Sequence, residues 1–374
     1  MFVALISWVA AAAGYFTDPD RFFQSYLNGF LWATTIPLGA LFFVMIQYLT
    51  GSAWSVPMRR ILENMAASIP VGLLLFLPVL GGLHSLYEWS HADVVANDAI
   101  LQSKASWLNP QWFAIRAVIY FALWSIWSLA LLRNSRNQDS NADLKYMHNN
   151  SRWSAPGLLV TTLSVSLAAF DWSMSLDPHW YSTIFGLYVF AGGAWAMFAT
   201  WTLICIGFRN QGILAHTIRI DHFHDLGKWM FALTVFWAYI AFSQYLLIWY
   251  ANIPEETIWY VHRLEGSWKW WSLAVLFGHF IVPFLVLVLR RNKRNLTVLT
   301  AAAIWFLTFH FVDAYFQVMP TFQKHGFALH WLDFACLAAP ASVYALLFWM
   351  HTKASNLLPT GDPRFELGIN FHQV

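Results

Sequence analysis

Charge is scarce in this sequence. Asp, Glu, Lys and Arg together make up 11% of the 374 residues, less than half the share of an ordinary soluble domain. Surface that poor in charge cannot enclose a water-soluble core, and no stretch between the apolar runs is long enough for a soluble module. The net charge is only +2, and the basic residues sit in short loops rather than in one patch, which excludes nucleic acid as a partner. Cysteine is nearly absent. Cys205 and Cys336 both lie in apolar runs, with no CxxC or CxxCH, so a disulfide framework, iron–sulfur ligation and c-type haem attachment are not expected. No predicted span carries two histidines about thirteen or fourteen residues apart, the spacing that would clamp a b-type haem. GxxxxGK[ST] and a GxGxxG in βαβ context are missing too, which removes nucleotide sites.

What is present is apolar and aromatic: 59% hydrophobic residues and 18% Phe, Trp and Tyr. About twenty apolar residues cross a bilayer, and runs near that length recur along the chain. They centre near Met1–Phe16 (short), Leu27–Leu49, Met65–Trp89, Trp107–Leu132 and Ala155–Leu176. Five more centre near Thr183–Phe208, Leu226–Tyr250, Trp268–Leu289, Leu296–Val318 and Trp331–His351. The expectation is an all-α integral membrane protein of about ten spans forming one domain over residues 1–374. The first run lacks a basic n-region, and Asp18-Pro19 stands where a small-residue cleavage site would be, so it reads as a retained span.

Lysine and arginine set the orientation. One set of alternate loops carries Arg59, Arg60, Arg133, Arg136, Lys145, Arg152, Arg209, Arg219, Arg290, Arg291, Lys293, Arg294, Lys353 and Arg364; the other carries Arg21, Lys104, Arg263 and Lys324. Both termini are therefore expected to be cytoplasmic. The opposite loops are acidic and aromatic, with Glu88, Asp93, Asp98, Asp177, Glu255, Glu256 and Glu265, and would be periplasmic in a bacterium.

Ionisable residues at bilayer depth are costly and mark function by default. His84, Arg116, Asp171, His279, His310, Asp313 and Asp333 all fall between the membrane middle and the acidic side, the asymmetry expected of a proton or quinol site opening that way. His310, Asp313 and Gln317 follow one another at helical spacing, placing imidazole, carboxylate and amide on one face of the ninth span. Gly157, Thr161, Ser164, Ala168, Asp171 and Ser175 form a small, hydroxylic face on the fifth, suited to a close helix contact or to a file of waters. Arg116 with Asp171 reads equally as a structural ion pair or as a headgroup grip, and Asp333 as a proton carrier or an interfacial carboxylate. The loop HTIRIDHFHDLGK, His216 to Lys228, is rich in His222, His224 and Asp225 but lacks a zinc spacing. A helix N-cap at Asp225 or a proton antenna is expected there, and no metal.

Two stretches are distinctive: FDWSMSLDPHWYSTIFGLYVFAGG, Phe170 to Gly193, and HDLGKWMFALTVFWAYIAFSQYLLIWYANIPEETIWY, His224 to Tyr260. They resemble the ActF family of polytopic subunits of bacterial alternative complex III, relatives of NrfD/PsrC-type membrane anchors. The resemblance implies two four-helix bundles, spans 2–5 (about 27–176) and 6–9 (about 183–318), flanked by spans 1 and 10. It implies a place in the inner membrane within a quinol:electron-acceptor oxidoreductase of the respiratory chain. Its partners would be a sister ten-span subunit, multihaem and monohaem cytochrome c subunits, an iron–sulfur subunit, small membrane subunits, lipid and a terminal oxidase. Haem c and iron–sulfur clusters would belong to those partners and none to this chain, while quinone stays open as a ligand, with Arg116 and Asp171 as contacts. The family's quinol site belongs to the sister subunit and uses a His and an Asp, whereas this chain has Arg116 where that histidine would stand. The expected role is thus an auxiliary membrane subunit without its own redox centre, docking redox subunits and carrying protons along Thr161, Ser164, Asp171, His279, His310 and Asp313. Rival readings are a second quinone-binding subunit and a pure scaffold. A secondary transporter ranks lower, because Pro37, Pro70, Pro78, Pro283 and Pro340 form no paired pattern.

Overall fold

A computed structural model describes residues 2–324 and 326–372. Among them the regular structure is entirely helical, and nine helices are long and apolar enough to cross a membrane. A shorter apolar helix, α1 (Phe2–Thr17), precedes them. Of the first predicted run, Met1 lies outside the described residues.

The helix α2 (Pro19–Leu49) starts well before the apolar run, because Asp18 caps it by accepting from the Arg21 amide at 3.1 Å and Pro19 supplies a preset first turn. It is the central helix. Gly29 and Gly39 let neighbouring helices approach it: a Cβ at Gly29 would lie 2.2 Å from the Cys336 carbonyl oxygen. The segment α3 (Val56–Gly81) is broken by Pro70 and Pro78. The sequence placed this span at Met65–Trp89, with Arg59 and Arg60 in a loop. They are instead inside the helix and fully buried, because Glu63, Asp139 and Asp362 neutralise them at 2.7–3.0 Å. A hydropathy window cannot see that pairing.

Next come α4 (Pro110–Asn141), capped by Asn109, and α5 (Leu144–Trp172), capped by Asp143, which pack together and against α2. The remaining long helices are α6 (Phe185–Asn210), α7 (Ile220–Ala251), α8 (Trp268–Leu287), α9 (Leu296–Val318) and α10 (Trp331–Lys353). Helix α6 packs on α2, α7 and α9, whereas α10 lies on α2 and α1. The expected N-cap at Asp225 is not there: α7 begins at Ile220, the Arg219 amide donates to His222 Nδ1 at 3.0 Å, and Asp225 sits inside the helix, ion-paired with Lys228. The start of α1 and the segment after α10 lie on the face bearing Arg133, Arg209 and Arg290, called here the basic face; Glu88, Asp98 and Glu255 lie on the opposite, acidic face.

Candidate functional site

Helix α8 is irregular where it carries His279. Pro283 has no amide hydrogen to give the carbonyl of His279, so the α-helical pattern fails and the chain forms a π-helical turn, Leu276–Ile281. Gly278 lets α9 come close, since a Cβ there would sit 1.8 Å from the Phe309 ring, and Trp305 Nε1 donates to the Gly278 carbonyl at 2.8 Å. The turn slots the His279 ring between two indoles, Trp195 at 3.8 Å and Trp237 at 3.9 Å between ring centres, with Phe306 stacked behind Trp195 at 3.6 Å.

The slot places His279 beside the pair the ninth span was expected to present. His279, His310 and Asp313 are all buried, and one ligand-type atom from each lies within 4.8 Å of the others. The Asp313 carboxylate accepts from the Tyr188 hydroxyl on Oδ1 and from Gln317 Nε2 on Oδ2 at 3.2 Å. His310 Nε2 bonds Thr35 Oγ1 at 3.0 Å, which leaves Nδ1 facing the group without a partner. Neither ring nitrogen of His279 has a hydrogen bond, and its Nε2 is 4.0 Å from Asp313 Oδ2. That gap is too long for a bond and short enough for a ring movement or a bridging water to close. Gly192 on α6 makes the room: a Cβ there would lie 3.3 Å from Asp313 Oδ2 and 3.6 Å from His310 Nδ1. An unsatisfied buried polar atom costs about 1–3 kcal/mol, and three ring nitrogens of this group have no protein partner.

Asp171 is different. Its Oδ1 accepts from Trp107 Nε1 and Arg116 Nη2, each at 2.9 Å, and its Oδ2 from Arg116 Nε at 2.7 Å and Tyr120 Oη at 2.9 Å. Four donors use the roughly four lone-pair directions a carboxylate offers. Arg116 also donates to the Trp107 carbonyl at 2.9 Å and lies 4.2 Å above that indole. Every acceptor direction of Asp171 is thus used within the protein.

The hydroxylic face of α5 packs against tryptophans of α4. Ser164 accepts from Trp124 Nε1 at 2.8 Å and donates back to the Val160 carbonyl at 2.6 Å, while a Cβ at Gly157 would touch Trp127. Thr161 Oγ1 makes no hydrogen bond, and Ser175 donates to the Asp171 carbonyl. The side chains of Thr161, Ser164 and Asp171 make no direct hydrogen bond to one another, although Ser164 Oγ also reaches the Thr161 carbonyl at 3.2 Å. Asp333 serves the start of α10: it accepts from Arg21 at 2.6 Å, Ser25 at 2.6 Å and the His330 amide at 2.8 Å. His84, expected at bilayer depth, is exposed and bonds Ser90 Oγ at 3.0 Å.

Two features lay outside the sequence reading. Tyr188, Thr35, Trp195 and Trp237 complete the site from three other helices, and nothing in local spacing marks them. A cavity of about 420 Å³ between α7 and α8 is lined by Tyr188, Trp237, Gln244, Tyr260 and Phe316 and reaches exposed Phe242 and Leu276. The three clustered donors are compact enough for a metal ion. A divalent ion with a single carboxylate would, however, leave net positive charge in apolar surroundings, whereas one shared proton leaves the group neutral. No family model and no curated protein matches this chain.

Proposed function

We propose that this chain is an ActF-like, ten-span membrane subunit of a bacterial alternative complex III, a quinol:electron-acceptor oxidoreductase, and that it passes protons at His279, His310 and Asp313. The chain holds no redox centre of its own. It lies in the inner membrane with both termini cytoplasmic, its spans 2–5 and 6–9 forming two four-helix bundles, and docks the sister subunit, the cytochrome c subunits and the iron–sulfur subunit on its acidic side. The two distinctive stretches, Phe170–Gly193 and His224–Tyr260, support the family. The excess of basic residues on the face of both termini supports the orientation.

One observation carries the proton role. Two buried imidazoles with unpartnered nitrogens stand against a carboxylate that keeps acceptor capacity. Such a group can hold one proton on any of three residues and hand it over by small ring movements. The test is quinol:cytochrome c reductase activity and proton release per electron in the reconstituted complex with Asp313→Asn. Proton yield falls while electron transfer persists if the reading is right. Normal values for both would leave a scaffold.

A second reading is favoured by the cavity beside Tyr188: a lipid-borne quinone enters between α7 and α8 and sets its ring against Tyr188 and Trp237. This differs from the contacts expected at Arg116 and Asp171, whose hydrogen bonds are already made within the protein. Under it, Asp313→Asn stops turnover itself and quinone copurifies with the complex.

A further inference from the structure

Arg263 is the exception among the buried arginines. Arg59, Arg60 and Arg116 each meet a carboxylate at 2.7–3.0 Å. Arg263 is just as buried, yet among the described residues no carboxylate lies within ion-pair distance of it. Its three nitrogens each donate to a carbonyl oxygen instead: Nε to Phe316, Nη1 to Trp259 and Nη2 to Gln317, each at 2.9 Å. Its guanidinium lies 3.5 Å above the Trp259 ring. The carbonyls and the negative end of α9 offset part of the cost of burying this charge, but no carboxylate meets it directly. Tyr188, Tyr260 and Asp177 are the titratable groups that feel this charge.

Its position relative to the proton site is specific. Two of the carbonyls it holds belong to residues 316 and 317, about one helical turn beyond Asp313 toward the acidic face. Gln317 joins the two directly: its side chain donates to Asp313 Oδ2 and its carbonyl accepts from Arg263. A proton leaving Asp313 along α9 toward the acidic face would come within about one helical turn of this guanidinium. At that range a unit charge changes the local occupancy of another cation by roughly tenfold or more.

We propose that Arg263 is the electrostatic barrier that keeps protons of the acidic-face water from exchanging freely with the His279–His310–Asp313 site. It is a positioning and gating residue, neither donor nor acceptor of the transferred proton, and the proposal rests on the proton role given above. The test uses the parent complex in liposomes holding a pH-sensitive dye, with valinomycin and a potassium gradient and without quinol. Wild type is expected to be tight. Arg263→Gln raises passive proton flux about tenfold or more, Arg263→Lys keeps it low by keeping the charge, and adding Asp313→Asn to Arg263→Gln closes the leak again. Intact assembly of each variant is checked by size exclusion. If Arg263→Gln does not assemble, Arg263→His serves in its place, tight where the imidazole is charged and leaky as pH rises and discharges it. An assembled neutral variant that stays tight overturns the proposal, as does a leak indifferent to Asp313→Asn. The two ideas fail separately. Normal proton yield in Asp313→Asn alone removes the proton site, whereas reduced yield there with a tight Arg263→Gln removes only the barrier.

Discussion

Asp171 and Asp313 are both fully buried carboxylates on long helices, each approached by a tyrosine hydroxyl, and they differ in everything else that matters. Asp171 faces a bidentate arginine and an indole and has no acceptor direction left. Asp313 faces no cation in direct contact, accepts from Tyr188 and Gln317, and has two imidazoles beside it whose nitrogens are unfilled. Burial and residue type are therefore poor guides to function by themselves. What distinguishes the two carboxylates is whether their hydrogen-bonding capacity is exhausted.

The contrast breaks most sharply when one partner is taken from the satisfied pair. Arg116→Met or Asp171→Ala leaves a lone buried charge, and either is expected to cost about 3–5 kcal/mol of stability. Combining Arg116→Met with Asp171→Leu removes both charges and should recover most of the loss. Thermal unfolding of the purified protein in detergent checks both, and a double variant as unstable as the singles would mean that the pair does more than neutralise itself.

At the other carboxylate the expected order is reversed. Asp313→Asn keeps the shape, and its single amide oxygen keeps one of the two accepted hydrogen bonds, so the stability loss should be about 1 kcal/mol, while proton release per electron drops. A large fall in melting temperature without a change in proton yield would make Asp313 the structural residue and abolish the distinction. Gly192→Ala sharpens the same point by a smaller step. The added methyl would stand 3.3 Å from Asp313 Oδ2, so the carboxylate must shift by a few tenths of an ångström. About 1 kcal/mol of stability is expected to be lost, with a partial fall in proton yield. An unchanged yield would show that the group tolerates displacement and is not a close-contact relay.

Sequence hydropathy and periodicity sufficed for the all-helical, membrane-spanning character and for the His310–Asp313–Gln317 face, because both follow from spacing within one element. It did not separate Asp171 from Asp313, since the donors that saturate or spare them come from elsewhere in the chain: Arg116 and Tyr120 on α4 with Trp107 in the loop before it in one case, Tyr188 on α6 in the other. His279 was visible only as an isolated imidazole. Its place in the group depends on the π-helical turn that Pro283 imposes, and a proline in a membrane helix does not say which neighbour it will re-aim. The third span was misplaced for the opposite reason: Arg59, Arg60 and Glu63 look like loop charges until Asp139 and Asp362 arrive from elsewhere in the chain.

That charge network on the basic face extends the comparison to a pair that pH can open. Asp362 belongs to the segment after α10 and binds Arg59 at 2.7 Å and Arg364 at 2.9 Å. Burial by itself would raise its carboxyl, but the two guanidiniums outweigh it and hold the group well below the usual carboxylate range. A carboxyl whose value is lower folded than unfolded lends stability that is complete above its unfolded value of about 4 and is lost as pH falls through the folded one. The segment carrying Asp362 is thus expected to stay docked at neutral pH and to loosen only in strong acid, with Asp362→Asn bringing the release to neutral pH. Hydrogen exchange of residues 355–370 at several pH values measures it. Release already near pH 6 in the wild type would mean that a histidine, not Asp362, governs the clasp. The spans should keep their protection throughout, because Glu63 still faces both arginines when Asp362 lets go.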